Sequence, residues 1–170
     1  MSETILSLDT PVAEIITIIS NDNVEYNVVK QYLTISNFLN NALELESEDN
    51  KINVDINSTI LTNIITYIEH HKGTPGKIPE QPLRSKNLKD IIDEWDADFI
   101  NNISGNEDTD PVKRKALYDL INACNYLDMK CLLYISCAKI ASLIKGQPLD
   151  KIKDILTCKI EDKEIENKQN

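Results

Sequence analysis

The sequence predicts an α+β fold in which a small sheet is flanked by helices. Two segments, 24–28 and 51–56, alternate apolar and polar residues with the period of a half-buried strand. Much of the remaining sequence repeats apolar residues every three or four positions, as amphipathic helices do. A chain of 170 residues has the length of one ordinary domain with a core of its own.

The N-terminal part predicts a β-hairpin. The β-rich run 15–20 is followed by the turn residues 21–23 and by the alternating run 24–28. Residues 1–14 are interpreted as a loose leader, which carries acidic side chains where a signal peptide carries basic ones. The apolar run of the hairpin is far shorter than the roughly 20 residues of a membrane-spanning helix. We therefore expect a soluble intracellular protein, located in the cytoplasm and nucleus.

Short helices and a third strand are predicted next. Residues 29–43 fit one or two short helices, for which Thr34 or Ser36 is available as an N-cap. A solvated acidic loop, 44–50, then leads to the third strand at 51–56.

A longer helix and a linker follow. The helix begins at Asn57 or Ser58 and ends near Gly73, after a basic last turn. Residues 73–90 contain three of the six prolines and two of the four glycines. This composition is typical of a mobile linker.

The C-terminal third is predicted to be helical and unusually apolar. After a polar loop at 101–110, Asp110 and Pro111 provide an N-cap acceptor and an N1 proline, and Asp128 is available to cap the next helix. Between Met129 and Ile144 only two residues are charged. A helix that is apolar nearly all round must be buried on nearly all sides, either by the fold or by a partner. The pattern alone leaves both alternatives open.

Histidines and cysteines show no spacing of a catalytic or metal site. The four cysteines are Cys124, Cys131, Cys137 and Cys158. They form no C-x-x-C pair and are interpreted as reduced, buried residues on helices. His70 and His71 are adjacent, so on a helix they point about 100° apart and cannot share a metal. Pairing either histidine with Cys124 or Cys137 is disfavoured, because a thiolate is unfavourable on an apolar helix face. We expect no catalytic residue, no metal and no cofactor.

The acidic net charge argues against a nucleic acid as the partner of this protein. The chain carries 28 acidic and 18 basic residues, a formal net charge of -10. Nucleic-acid binding needs basic surface, so neither a nucleic acid nor a membrane is an expected partner.

Trp95 is interpreted as a packing residue. Asn125 and Tyr126 lie at a predicted helix–helix corner, where they either complete local hydrogen bonds or contact a partner.

Three motifs in this order resemble those of the Skp adaptor family. They are YIEHHK at 67–72, WDADF at 95–99 and ACNYLDMK at 123–130, and an apolar helical pattern at 132–146 follows them. The similarity covers roughly residues 15–157. Members of this family join F-box proteins to the cullin of a cullin–RING ubiquitin ligase.

The resemblance implies a BTB/POZ-like domain with a C-terminal helical extension that binds the F-box. The implied divisions are a leader (1–14), the N-terminal POZ part (15–72), a mobile linker (73–90), the C-terminal POZ part (91–128), the F-box-binding extension (129–160) and a tail (161–170). The apolar surplus near the C-terminus is then half of a core that a partner completes.

The resemblance also implies specific contact residues and a non-catalytic adaptor function. The implied F-box-binding residues are Tyr118, Ile121, Leu133, Cys137, Ile140, Ile144, Ile152 and Leu156. The implied cullin-binding residues are Asn125 and Tyr126. The free chain is a candidate homodimer through the same apolar surface.

Three segments differ from the family pattern. The loop at 101–110 is longer, the proline within 146–149 is displaced, and the C-terminal end lacks the usual acidic helix with its Trp-containing terminus. The alternative function is therefore an F-box-sequestering or structural subunit that no longer docks a cullin. An enzyme is the third alternative.

Overall fold

The computed structural model describes residues 13–45, 50–105 and 110–157. Its sheet has three strands, β1 (Ile15–Ile19), β2 (Glu25–Val29) and β3 (Lys51–Asn53), in the order β2-β1-β3. β1 pairs antiparallel with β2 and parallel with β3. The predicted hairpin and third strand are confirmed, although the third strand is shorter than its alternating sequence.

Six α-helices account for most of the described chain. They are α1 (Asn37–Leu45), α2 (Ser58–His71), α3 (Glu94–Ser104), α4 (Pro111–Tyr126), α5 (Lys130–Ile144) and α6 (Leu149–Thr157). Two short 3₁₀ helices cover Lys30–Ile35 and Leu88–Asp90. This arrangement confirms the predicted α+β class with a small sheet and flanking helices.

Local capping residues begin the helices where the sequence predicts. The Ser36 hydroxyl accepts a hydrogen bond from the Leu39 backbone N–H at the start of α1. Asn57 caps α2 by accepting from the Ile60 N–H at 3.1 Å. Asp110 caps α4 by accepting from two backbone N–H groups of its first turn. Each cap satisfies donors that the first helical turn cannot pair internally.

Two local expectations were wrong. The predicted loop at 101–110 is helical as far as Ser104, and Gly105 ends α3 with a positive φ of 72°. The helix continues because the apolar side chain of Ile103 packs against the core. Asp128 does not cap α5. It adopts a left-handed conformation (φ 49°), and its carboxylate accepts from the Asn37 side chain at 2.6 Å.

One cluster of buried side chains joins the sheet to the C-terminal helices. Its fully buried members include Ile16 in β1, Leu61 in α2, Leu120 in α4 and Leu132 in α5. The chain segments predicted as separate POZ parts therefore share a core.

Residues 73–90 cross from α2 to α3 along α5. The Cys131 thiol donates to the Gly76 carbonyl at 3.0 Å, and the Lys145 ammonium donates to the carbonyl groups of residues 83 and 84. These bonds tie the segment to α5, and Leu88 near its end is buried in the core. The predicted mobility of the segment stays a prediction.

Several expectations lie outside the described residues. These are most of the leader, the centre of the acidic loop at 46–49, Cys158 and the tail at 161–170. Among the helices of the described ranges, none is long and apolar enough to span a membrane.

Candidate protein-interaction surfaces

Helix α5 is buried on one side and partly open on the other. Leu132 and Ile135 are fully buried on the inner side. Leu133 and Ile144 are half-buried, and Cys137 is exposed. The fold therefore covers only part of this nearly uncharged helix, and its other side keeps apolar surface in contact with water.

The predicted F-box-binding residues lie on three helices that pack in sequence, α4 on α5 and α5 on α6. We call these eight residues the outer helical face. They are Tyr118 and Ile121 on α4, Leu133, Cys137, Ile140 and Ile144 on α5, and Ile152 and Leu156 on α6. Seven of them are half-buried or exposed, whereas Ile140 is buried.

Helix α6 is anchored to the other helices by a buried apolar side chain and by polar contacts with α4, which include an ion pair between Arg114 and Asp154 at 3.5 Å. Ile155 is fully buried, while its neighbour Leu156 is 51% exposed. The Tyr118 hydroxyl donates to the Ile155 carbonyl at 3.0 Å, and this bond joins α4 to α6. Because α6 is short, this anchor fixes how its exposed side chains are presented beside α4 and α5.

A buried lysine on α5 was not anticipated from the sequence. Lys139 is only 5% exposed, and its ammonium donates to the Asn101 side-chain oxygen at 2.8 Å. Burial lowers the pKa of this lysine because its charged form loses hydration. The sequence does contain one signal of this burial. No acidic residue lies one helical turn from Lys139, so this lysine has no ion-pair partner on its own helix.

The corner after α4 exposes an amide and a phenol. Asn125 and Tyr126 are both exposed, and the Tyr126 ring packs on Phe38 of α1 with ring centroids 4.9 Å apart. The Phe38 backbone N–H donates to the Leu127 carbonyl at 3.3 Å, which docks the corner onto the start of α1. The two predicted cullin-binding side chains are therefore accessible on a rigid support.

A pocket of about 380 Å³ adjoins this corner. It is lined by Asp55, Ile56, Asn57, Ile60, Asp119, Asn122, Ala123 and Tyr126. Sequence reasoning missed the contribution of the β3–α2 connection to this surface, because the two segments are far apart in the chain.

The histidine and tryptophan motifs form a packing cluster between α2 and α3. His71 Nε2 lies 2.8 Å from Asp96 Oδ1, and the Asp96 side chain is 1% exposed. The His70 ring stacks on Trp95 with centroids 3.5 Å apart, which confirms Trp95 as a packing residue. Loss of hydration, and then the neighbouring His71, lower the pKa of His70. The pairing of His71 with Asp96 was not predicted.

The thiols show no nucleophilic arrangement in the described part of the chain. Cys124 and Cys131 are buried, and burial raises the pKa of both. Cys137 is exposed, so the expectation that every cysteine is buried was wrong for this residue. It lies on the side of α5 that the fold leaves open. Within the described ranges, no three metal-binding side chains are grouped so that they could hold an ion.

Comparisons with known proteins place these features in context. The family described as "Skp1 family, tetramerisation domain" matches residues 14–73. The chain is 33% identical over 140 residues to the E3 ubiquitin ligase complex SCF subunit sconC of Arthroderma benhamiae, covering 81% of this chain and 79% of that protein. It is 32% identical over 139 residues to the S-phase kinase-associated protein 1 homolog of Tetrahymena thermophila, covering 81% and 78%.

Proposed function

This chain belongs to the Skp1 family, and on that premise we propose that it is an adaptor subunit of an SCF-type E3 ubiquitin ligase, bridging F-box proteins to a cullin. The predicted family resemblance and BTB/POZ-like fold are confirmed. The protein acts without catalysis of its own, by holding a substrate receptor next to the ubiquitin-transfer machinery. It thereby supports ubiquitin-dependent degradation in the cytoplasm and nucleus.

The observation that carries the proposal is the outer helical face. Apolar side chains of α4, α5 and α6 remain accessible in a chain whose net charge is -10. An F-box contributes helices of its own, and burying the outer helical face against them supplies about 25 cal/mol per Å² of apolar area, before the cost of association. In the free chain the same surface supports homodimer formation.

The cullin-facing role is assigned to the corner at Asn125 and Tyr126. An exposed amide next to an exposed aromatic ring combines hydrogen bonding with apolar contact, as interfaces commonly do. The corner lies at the end of α4, whereas most of the outer helical face lies on α5 and α6. One chain thus has separate surfaces for two partners.

Reconstitution tests the proposal. The full chain is co-expressed with an F-box domain, with a cullin N-terminal domain, or with both, and each product is analysed by size exclusion with light scattering. We expect a stable ternary complex of one copy each. Failure to bind either partner would contradict the proposed function.

A paired substitution separates the two surfaces. Asn125→Lys with Tyr126→Lys should abolish cullin binding and leave F-box binding intact. Asn27→Lys, at an exposed position on β2, is the charge control and should leave both intact. If the paired variant still binds the cullin, the assignment of the corner is wrong. If the unmodified chain binds the F-box and no cullin, the alternative sequestering function is correct.

A further inference from the structure

A second pocket of about 380 Å³ lies between α5 and the segment that precedes α3. One wall is residues 79–83, and the other is formed by α5. The residues from α5 are Tyr134, Cys137, Ala138, Ala141 and Lys145. The volume is sufficient for a large side chain.

The lining determines which chemical group the pocket accepts. The Lys145 ammonium donates to the carbonyl of Leu83 at 2.7 Å and to that of Arg84 at 3.1 Å, so this cation is used to hold the wall. Ala138, Ala141 and Pro82 contribute only apolar side chains. Glu80 and Gln81 also line the wall, but both are exposed, so their polar groups stay hydrated. A cationic occupant would exchange its own hydration for a contact with Glu80 that water screens, whereas an apolar occupant would gain by burial.

The pocket is continuous with the outer helical face through Cys137. This residue lines the pocket and also belongs to the outer helical face. Tyr134 precedes it by three residues and is 42% exposed, which leaves a large ring partly unburied on the free chain.

We propose that this pocket receives an uncharged apolar side chain of the F-box protein, from a part of that protein beyond the helices that cover the outer helical face. The inference rests on the proposed function, because it assigns the occupant to the same partner. The pocket adds a contact that depends on residues 79–83, so the segment predicted as a mobile linker takes part in partner binding. Tyr134 and Ala141 become specificity-determining residues, and Lys145 a positioning residue that holds the wall; the family resemblance did not assign any of the three.

Binding of one purified F-box domain to the full chain tests this inference by titration calorimetry. Tyr134→Ala removes the aromatic wall, and Ala141→Phe fills the pocket. Both variants should weaken binding about tenfold or more, the loss typical when an interface aromatic or its pocket is removed. Val24→Ala is the matched control, since Val24 is 41% exposed and lies in the hairpin, outside both proposed surfaces. It should bind the F-box domain as the unmodified chain does.

The possible results are distinguishable. If the unmodified chain binds and both pocket variants bind equally well, the pocket is not used and this inference is overturned, while the proposed function stands. If the unmodified chain does not bind the F-box domain, the proposed function fails together with the inference. If the pocket variants change only self-association in light scattering, the occupant is a second copy of this chain and the inference is overturned. Circular dichroism of each variant excludes misfolding as the cause of weak binding.

Discussion

Removing the His71 side chain should destabilise the fold far more than removing its neighbour His70. His71 Nε2 is 2.8 Å from Asp96 Oδ1, and the Asp96 side chain is 1% exposed. The other carboxyl oxygen of Asp96 has no hydrogen-bond partner among the described residues. His71→Ala therefore leaves a buried acidic group with neither of its oxygens paired.

The magnitude follows from the burial of the pair. Removing the hydrogen-bond partner of a buried side chain costs about 1–3 kcal/mol, and more where the remaining group is charged, because that group stays buried without compensation. His71 lies at the C-terminus of α2 and Asp96 in the first turn of α3. These are the ends at which helix dipoles favour a cation and an anion respectively. For a domain of this size a loss of that order lowers Tm by roughly 2–12 °C.

Urea unfolding followed by circular dichroism measures the effect. His71→Ala should move the midpoint to lower urea with an unchanged slope, as expected for a change in stability alone. His70→Ala is the control, because His70 is exposed and the variant loses ring contacts, the stack on Trp95 and an edge contact with His71, rather than the bond to Asp96. If the two variants lose equal stability, the His71–Asp96 pair is not a main determinant of the fold.

Three further predictions follow from single contacts. Asp110→Ala removes the cap of α4 and should cost about 1 kcal/mol in thermal unfolding; an unchanged Tm would show that the cap is not needed. Because the pKa of His70 is lowered in the folded chain, its contribution to stability is present above about pH 6.5 and is lost as the pH falls through its folded pKa. The urea midpoint should therefore fall on acidification, and it should fall less in His70→Gln. Equal pH profiles of the two proteins would refute this. Lys145→Met removes the hydrogen bonds to the carbonyl groups of residues 83 and 84, so trypsin should cleave after Arg84 several times faster than in the unmodified chain. Unchanged cleavage would show that Lys145 does not hold the segment.

Sequence reasoning found the elements whose signals are local. The hairpin follows from alternation and turn residues within about 15 positions, and the helix starts follow from Ser36, Asn57 and Asp110, whose side chains pair with the next turn. The loop predicted at 101–110 begins only after Ser104, because the polar residues at 101 and 102 hide the apolar contact of Ile103 with the core.

Contacts between distant segments could not be found in this way. Nothing in a single sequence joins His71 to Asp96, which are 25 residues apart, or Cys131 to Gly76, which are 55 apart. The apolar pattern alone does not show which side of α5 faces water, because apolar residues surround this helix. The family resemblance assigns Leu133, Cys137 and Ile144 to a partner-binding side, and these three residues are half-buried or exposed. Tertiary packing therefore decides that Cys131 is buried and Cys137 exposed.

The central claim is that an F-box protein covers the outer helical face, and the thiol of Cys137 reports on it directly. Cys137 is exposed in the free chain, while Cys124 and Cys131 are buried. Alkylation with N-ethylmaleimide, resolved by peptide mass spectrometry, should modify Cys137 faster than Cys124 and Cys131 in the free chain, and much more slowly in the complex with an F-box domain. Equal modification of Cys137 in the free chain and in a verified complex would contradict the account.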